Sequence, residues 1–184
     1  MNSDKPRSAT GRAITPVAPS ASKAAALSQL RDAPDNEIVI SRLINAPCEL
    51  VFDAWLKHEH LAHWFGPEGF TITTHEIDVR TGGVWRFTMH GPDGVDYGNR
   101  IVYTEITRPT RITYKHSGDD DENEHIRFAT TVTFTDVGGK TELTLRTAFA
   151  TAAERDEVVV QRGAIEGGKQ TLGRLADYVE SHLG

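Results

Sequence analysis

Histidines are the side chains of this sequence whose spacing first suggests chemistry. His58, His60 and His63 lie close together, and His60 and His63 are three residues apart, so they share one face if the segment is helical. Two imidazoles so placed can chelate zinc, but a zinc site needs further ligands, and no distant third ligand is identifiable. We therefore interpret these histidines as polar positions of an amphipathic helix, and we predict no metal and no cofactor.

Four further histidines lie in segments with strand character: His75, His90, His116 and His125. A histidine that faces the interior of a protein can act as a general base. Alternation places His90 on the solvent face, whereas His116 shares a face with Ile112 and Tyr114. His116 is therefore the better candidate for the interior, although it lies near the end of a hairpin. We favour a mostly solvent-exposed histidine.

Charged residues within the predicted strands are a second source of chemistry. Arg86 can pair with a carboxylate across the outer face of a sheet, which would be a structural role. An inward-facing carboxylate would have a raised pKa and could serve as an acid or a base. Glu105 is the residue in question. The sequence leaves its face open, because Gly98 is a candidate site for a β-bulge.

Two other features receive structural interpretations. The acidic run from Asp119 to Glu124 lacks the ligand spacing and the central glycine of an EF-hand, so we predict a solvated hairpin tip. Cys48, the single cysteine, permits no internal disulfide and favours a reducing compartment. Its position beside Pro47, at a predicted helix start, allows a reactive thiol. We favour a small, partly buried packing residue.

Length and composition limit the class of protein. The 184 residues suit one domain with a sizeable core. A net charge of −6 argues against a nucleic-acid partner, which requires a clustered basic face. No apolar run approaches the roughly 18 residues of a transmembrane helix, so we predict no membrane partner. The expected form is a monomer or a homodimer in the cytoplasm.

The patterning divides the chain into an arm and a domain. Residues 1–35 are rich in Ala, Ser, Thr and Pro and predict a disordered N-terminal arm, and residues 36–184 form the domain. The domain begins with a strand from Glu37 to Ile44, followed by two short helices. Six strand candidates then follow at hairpin spacing: Phe70 to Val79, Val84 to His90, Val95 to Ile106, Arg111 to His116, His125 to Phe134 and Thr141 to Phe149. Antiparallel strands and helices predict an α+β fold.

The last thirty residues, Glu154 to Leu183, predict one long helix. Val158, Ile165, Leu172 and Val179 recur at seven-residue intervals and form an apolar stripe. The sheet must curl around this helix to bury both apolar surfaces. Gln161 and Gly168 interrupt the N-terminal half of the stripe, where a large apolar side chain is expected. We interpret this gap as the roof of a ligand cavity.

The cavity prediction names ten residues. Aromatic side chains with a few polar groups are typical of ligand pockets. The candidate ligand-binding residues are Trp85, Phe87, Met89, Tyr97, Tyr114, His116, Phe128, Gln161, Ile165 and Gly168. The alternative is that these side chains fill a solid core.

Several segments, in order, resemble the START-like, Bet v 1-type (SRPBCC) helix-grip superfamily, and in particular its activator-of-Hsp90-ATPase-homologue (AHSA1-like) branch. These segments are 44–47, 51–55, 64–67, 82–87, 89–94 and 167–178. The resemblance implies a curved antiparallel sheet around a long C-terminal helix, with a deep apolar cavity between them. Many relatives carry a tryptophan where this chain has Gly168.

Three functions follow as hypotheses. The first is a binder of a small apolar or amphipathic molecule, with Tyr97, Tyr114, Gln161 and His116 bonding its polar end. The second is an enzyme resembling a polyketide cyclase, a dehydratase or a hydrolase, which needs an inward-facing acid/base pair in the same cavity. The third, implied by the name of the branch, is a co-chaperone-like partner of an Hsp90-type chaperone. A fold alone does not decide among them.

Overall fold

The computed structural model describes residues 34–119 and 127–183. The strands are β1 (Glu37–Ile44), β2 (Thr71–Ile77), β3 (Val84–His90), β4 (Asp96–Thr107), β5 (Arg111–Gly118), β6 (Phe128–Val137) and β7 (Lys140–Ala148). The helices are α1 (Cys48–Leu56), α2 (His58–Trp64), α3 (Ala152–Arg162) and α4 (Ala164–His182). The two short helices follow β1, as the patterning predicts, and the other two follow β7.

A single antiparallel sheet organises the domain. Its strand order is β1-β7-β6-β5-β4-β3-β2, so β2 to β7 form successive hairpins and β1 returns beside β7. Trp85, Phe87 and Met89 alternate inward and are buried, whereas Arg86 between them is exposed. The sheet curves around α4, which completes the α+β helix-grip fold that the sequence predicts.

Glycines make the tightest hairpin turn. Gly138 and Gly139 have φ values of 63° and 81°, and Val137 pairs directly with Lys140 across them. Two consecutive positive φ angles are typical of a primed two-residue turn. Residues with a Cβ atom adopt these angles only at a cost in conformational energy. The sequence predicted strands that end at Phe134 and begin again at Thr141. The turn is shorter, and both strands extend to its edge.

The prediction of one continuous C-terminal helix is wrong, because the structure has two helices in this region. Gly163 lies in the left-handed region, with φ 58° and ψ 37°, and it ends α3 at Arg162. α4 begins at the next residue. Gln161 is consequently exposed, because the break removes it from the apolar stripe of α4. Within α4 the stripe continues through the buried residues Ile165, Leu172 and Val179, and Gly168 still interrupts it.

The charged strand residues lie on the outer face. Arg86 contacts Glu76 at 3.6 Å and Asp119 at 3.4 Å, which confirms the predicted cross-strand pairing. Glu105 contacts Arg111 at 3.7 Å and is partly exposed. The register shift lies between Tyr103 and Glu105 and not at Gly98. Glu105 is therefore not an interior acid.

Two histidines of α2 contact one tyrosine of α4. Nδ1 of His60 lies 2.8 Å from the hydroxyl of Tyr178, and the ring of His63 stacks on the same tyrosine at 5.1 Å between centroids. Over residues 34–119 and 127–183, no group of three or more metal-binding side chains is present. Cys48 is buried, and its sulfur accepts a hydrogen bond from Thr141.

Some predictions fall outside the described residues. One is the N-terminal arm, of which only residues 34 and 35 are described. The others are the acidic run, of which only Asp119 is described, and His125. Among the helices of the described segments, none has the length and apolar character to cross a membrane.

Candidate functional site

A pocket of about 140 Å³ lies between the inner face of the sheet and the N-terminal half of α4. Its wall comes from six strands, α1, the segment after α2, and both C-terminal helices. The lining residues are Ile38, Ile40, Trp55, Phe65, Gly66, Pro67, Met89, Asn99, Ile101, Tyr114, His116, Phe128, Leu145, Thr147, Phe149, Val158, Ala164, Gly167, Gly168 and Thr171. The wall is predominantly apolar, which is typical of a small-molecule site.

Two glycines of α4 form part of the pocket wall. A Cβ atom on Gly168 would lie 2.4 Å from Cδ1 of Ile40, and one on Gly167 would lie 3.4 Å from Cγ of Pro67. The helix backbone therefore approaches β1 closely at this point. The missing side chain of Gly168 permits this close approach, and both glycines also border the pocket. One turn later, Leu172 is fully buried and fills the corresponding position.

Arg174 holds the segment after α2 against α4. Its Nη1 donates hydrogen bonds to the carbonyl oxygens of Gly66 at 2.8 Å, Pro67 at 2.8 Å and Phe70 at 3.1 Å. Hydrogen bonds from a charged donor are stronger than those between neutral groups. This residue therefore fixes the part of the pocket wall that Phe65, Gly66 and Pro67 contribute.

The most distinctive polar group in the pocket is a pair of side chains. Nε2 of His116 lies 2.9 Å from Oδ1 of Asn99, and Nδ2 of Asn99 donates to the carbonyl oxygen of Tyr97 at 2.7 Å. Asn99 is only 3% exposed. The two side chains come from neighbouring strands, since Ile101 pairs with His116 and Asn99 with Gly118.

His116 is neutral at physiological pH. Burial lowers the pKa of its imidazole to about 3, and the positive charge of Arg127 acts in the same direction. The ring of Phe128 packs against it edge-on, with centroids 4.5 Å apart. His116 remains partly accessible because it faces the pocket. The favoured solvent-exposed position is therefore wrong, since the imidazole lies on the inner face of the sheet beside the pocket.

Hydroxyl groups form a second polar position. Burial raises the pKa of Tyr114 well above its ordinary value, and a hydrogen bond with Thr130 offsets part of that effect. Oγ1 of Thr130 lies 3.4 Å from Oγ1 of Thr147. Tyr114 and Thr147 both line the pocket. Both remain uncharged at neutral pH, so the wall offers hydrogen bonds without a formal charge.

The sequence profile of one family matches most of the domain. The family is described as "Activator of Hsp90 ATPase homolog 1-like protein", and the match covers residues 45–180. This chain belongs to that family. No curated protein matches the sequence significantly.

Solved structures support the fold of this AHSA1-like domain. A Chromobacterium violaceum protein is 28% identical, with a TM-score of 0.69, over 80% of this chain and 99% of its own. A Staphylococcus epidermidis protein is 25% identical, with a TM-score of 0.71, over 83% and 94%. An AHSA1-like protein from Aeromonas hydrophila, 22% identical over 79% and 92%, has a TM-score of 0.59 and shows the fold alone.

The AHSA1-like domain brings half of the predicted site residues to the pocket. Those that line it are Met89, Tyr114, His116, Phe128 and Gly168. The other five do not: Trp85, Phe87, Tyr97, Gln161 and Ile165. For Trp85, Phe87 and Ile165 the solid-core alternative describes the placement, since all three are buried outside the lining. We correct the cavity prediction accordingly.

The positions of the residues outside the pocket lining have physical reasons. Trp85 stacks on Phe87 at 4.1 Å, and Phe65 packs edge-on against both rings, so these aromatics fill their own space. The hydroxyl of Tyr97 donates to Asp93 at 3.2 Å, at the hairpin end of the sheet. Gln161 points to solvent because α3 ends at Gly163.

Asn99 is the functional candidate that sequence reasoning missed. Alternation along β4 places it on the same face as the buried Ile101 and Tyr103, so a polar amide in an apolar row was the available signal. The contribution of Gly66 and Pro67 had no comparable signal, because they belong to an irregular segment whose path the periodicity does not describe.

Proposed function

We propose that this AHSA1-like domain binds a small, largely apolar molecule in the pocket beside Gly167 and Gly168. The observation that supports the proposal is an apolar space in the interior with a single buried histidine–asparagine pair in its wall. Burying apolar ligand surface in such a space contributes about 25 cal/mol per Å². A polar pair fixes the orientation of the ligand.

The volume limits the size of the molecule. An apolar cavity of about 150 Å³ accommodates benzene, whereas drug-sized ligands occupy roughly 300–1,000 Å³. The pocket here, at about 140 Å³, fits a single ring. A polyketide, a flavonoid or a lipid chain of the kind considered from the family resemblance exceeds this space unless the wall moves.

The charge state of the wall favours a binder over an enzyme. Among the described lining residues, only Tyr114 and His116 carry ionisable side chains, and both are neutral at physiological pH. General acid–base catalysis works best with a pKa near the working pH. Neither group meets that condition, and a carboxylate partner is absent from this described wall.

The remaining aspects of the proposal concern place and partners. We expect the protein to act in the cytoplasm, where the buried Cys48 stays reduced. Ligand binding in the pocket requires no protein partner. An Hsp90-type chaperone partner stays a prediction, and binding or ATPase stimulation of the chaperone from the same cell tests it.

Thermal denaturation of the full chain with toluene, benzene and a fatty acid tests the proposal. A ligand at a concentration of 100 times its Kd stabilises the folded state by about 2.7 kcal/mol, which raises the Tm measurably. We expect the single-ring compounds to raise the Tm and Gly168→Trp, whose side chain displaces Ile40 in the pocket wall, to remove the effect. Gly173→Ala, on the same helix but outside the pocket wall, is the matched control. Unchanged Tm values with every compound refute the proposal.

A further inference from the structure

The orientation of the Asn99 amide is fixed by its surroundings. A backbone carbonyl only accepts hydrogen bonds, so the group of Asn99 that lies 2.7 Å from the carbonyl oxygen of Tyr97 is the NH₂ group. The other end of the amide, Oδ1, therefore faces His116. Because Oδ1 only accepts, it requires a donor at Nε2 of His116, 2.9 Å away.

This contact determines the tautomer of His116. A neutral imidazole carries its proton on one nitrogen, and here that nitrogen is Nε2. Nδ1 is then an unprotonated acceptor. Nδ1 makes no hydrogen bond within the described parts of the chain, where the only fully buried side-chain N or O atom without a hydrogen bond is Oδ1 of Asp119. Nδ1 is therefore not fully enclosed, and His116 lines the pocket.

The rest of the wall specifies what surrounds an acceptor in this position. Phe128 stands edge-on to the imidazole, and the ring of Phe149 lies 5.6 Å from that of Phe128. Both aromatic side chains line the pocket together with Tyr114. Aromatic rings pack favourably at such distances, in tilted or edge-to-face arrangements. The surroundings of Nδ1 therefore suit a flat, apolar ring.

The ligand must supply the missing donor without a negative charge. A carboxylate would direct its lone pairs at the lone pair of Nδ1, and the described wall carries no cationic side chain to compensate a buried anion. A neutral hydroxyl group satisfies Nδ1 and leaves no unpaired charge. An aromatic hydroxyl is a better donor than an aliphatic one because its proton is more acidic.

We propose that the pocket selects a neutral single-ring phenol, whose hydroxyl donates a hydrogen bond to Nδ1 of His116 while its ring packs against Phe128. This assignment rests on the proposed function, since it names the ligand class of the same pocket. Asn99 is a positioning residue in this scheme, because it acts on the ligand only through the tautomer of His116.

A double-mutant cycle on the full chain tests the assignment. Phenol and toluene have the same number of heavy atoms and differ in the donor, and His116→Phe keeps a ring but removes the acceptor. Calorimetric titration of both proteins with both compounds cancels the differences in hydration between the ligands. We expect the substitution to reduce the affinity for phenol by about fivefold to tenfold more than the affinity for toluene. This factor is the range expected for one hydrogen bond.

Nuclear magnetic resonance of the unsubstituted protein gives an independent readout if His116→Phe does not fold. With ¹⁵N-labelled histidine, phenol should shift the Nδ1 resonance of His116 towards that of a protonated nitrogen, and toluene should not. Equal shifts, or equal losses of both ligands in the cycle, overturn the phenol assignment and leave a general apolar binder. Absence of binding by either ring refutes the proposed function itself.

Discussion

The two halves of the interior of this domain are built from the same elements and differ in how completely they are filled. Around the C-terminal half of α4, Leu172 and Leu175 are fully buried, and Phe52 packs edge-on against Phe134 at 5.1 Å. We call this region the solid half. Around the N-terminal half, Gly167 and Gly168 replace such side chains and the pocket begins. We call this region the open half.

The difference separates the part of the interior that stabilises the fold from the part that borders the pocket. The solid half has close-packed apolar side chains, whose burial stabilises the fold. The open half gives up some of that stabilisation and instead contains a buried hydrogen-bonded pair, Asn99 and His116. A pocket costs stability, because its lining loses packing contacts. Substitutions should therefore have different consequences in the two halves.

The largest expected effect is on stability in the solid half. Leu172→Ala should lower the free energy of unfolding by about 2–5 kcal/mol, because it opens a cavity where none exists. Leu145→Ala is the matched change in the open half, where Leu145 already borders empty space. We expect less than half that loss. Urea denaturation measures both, and equal losses would contradict the division into two halves.

The next effect is a pH dependence that arises in the open half. His116 has a pKa of about 3 in the folded protein and about 6.5 when unfolded, so below about pH 6.5 the unfolded chain binds a proton that the folded chain does not. Stability contributed by the neutral form is present above pH 6.5 and is lost as the pH falls towards 3, by up to about 1.4 kcal/mol per pH unit.

Denaturation curves between pH 7 and 4.5 measure this slope. We expect His116→Phe to reduce the slope and His75→Phe to leave it unchanged, because His75 is exposed on the edge strand β2. A slope that is the same in all three proteins would show that His116 titrates normally.

A smaller effect concerns the boundary between the two halves. Arg174→Met should lower the free energy of unfolding by about 1–2 kcal/mol, since it removes charged hydrogen bonds to Gly66, Pro67 and Phe70. It should also speed hydrogen exchange at the amide of Phe70. Arg146→Met, which breaks an ion pair with Glu37 on the exposed side of β7, should cost about 0.5 kcal/mol or less. Similar effects of the two substitutions would argue against an anchoring role of Arg174.

The smallest expected effect separates two glycines of α4. Gly173→Ala should stabilise the protein by about 0.5–1 kcal/mol, because the new Cβ meets only Nη1 of Arg42 at 3.7 Å. Gly168→Ala gains the same helix propensity but displaces Cδ1 of Ile40, so we expect a net change near zero. Calorimetric titration should show weaker toluene binding for Gly168→Ala alone. Unchanged affinity would place the ligand elsewhere.

Much of the fold could be predicted because its signals are local. Turn glycines and period-two alternation define β3, whose predicted bounds, Val84 and His90, agree with the structure. Alternation also places His116 on the inner face. The continuity of the last helix could not be predicted, since a glycine such as Gly163 is compatible with a helix interior and with a left-handed break.

The candidate site could be predicted only in part. Trp85, Phe87 and Met89 have the same alternation and are all buried, yet only Met89 borders the pocket. Empty space is a property of several elements together, and no single strand pattern records it. The face of Glu105 was undetermined for a similar reason, because the register shift beside it depends on the pairing of β4 with β5.

Gly163 also separates the C-terminal region into two segments that tolerate changes of length independently. In a continuous helix, deletion of one residue rotates every later side chain by about 100°. Because Gly163 restarts the helix, a deletion within α3 would leave Leu172 and Val179 in place against the sheet. Such a deletion would change the side chains that α3 buries, which are now Val158 at the pocket and Val159 in the core. The pocket wall can therefore diversify through α3 while the contacts of α4 with the sheet are kept.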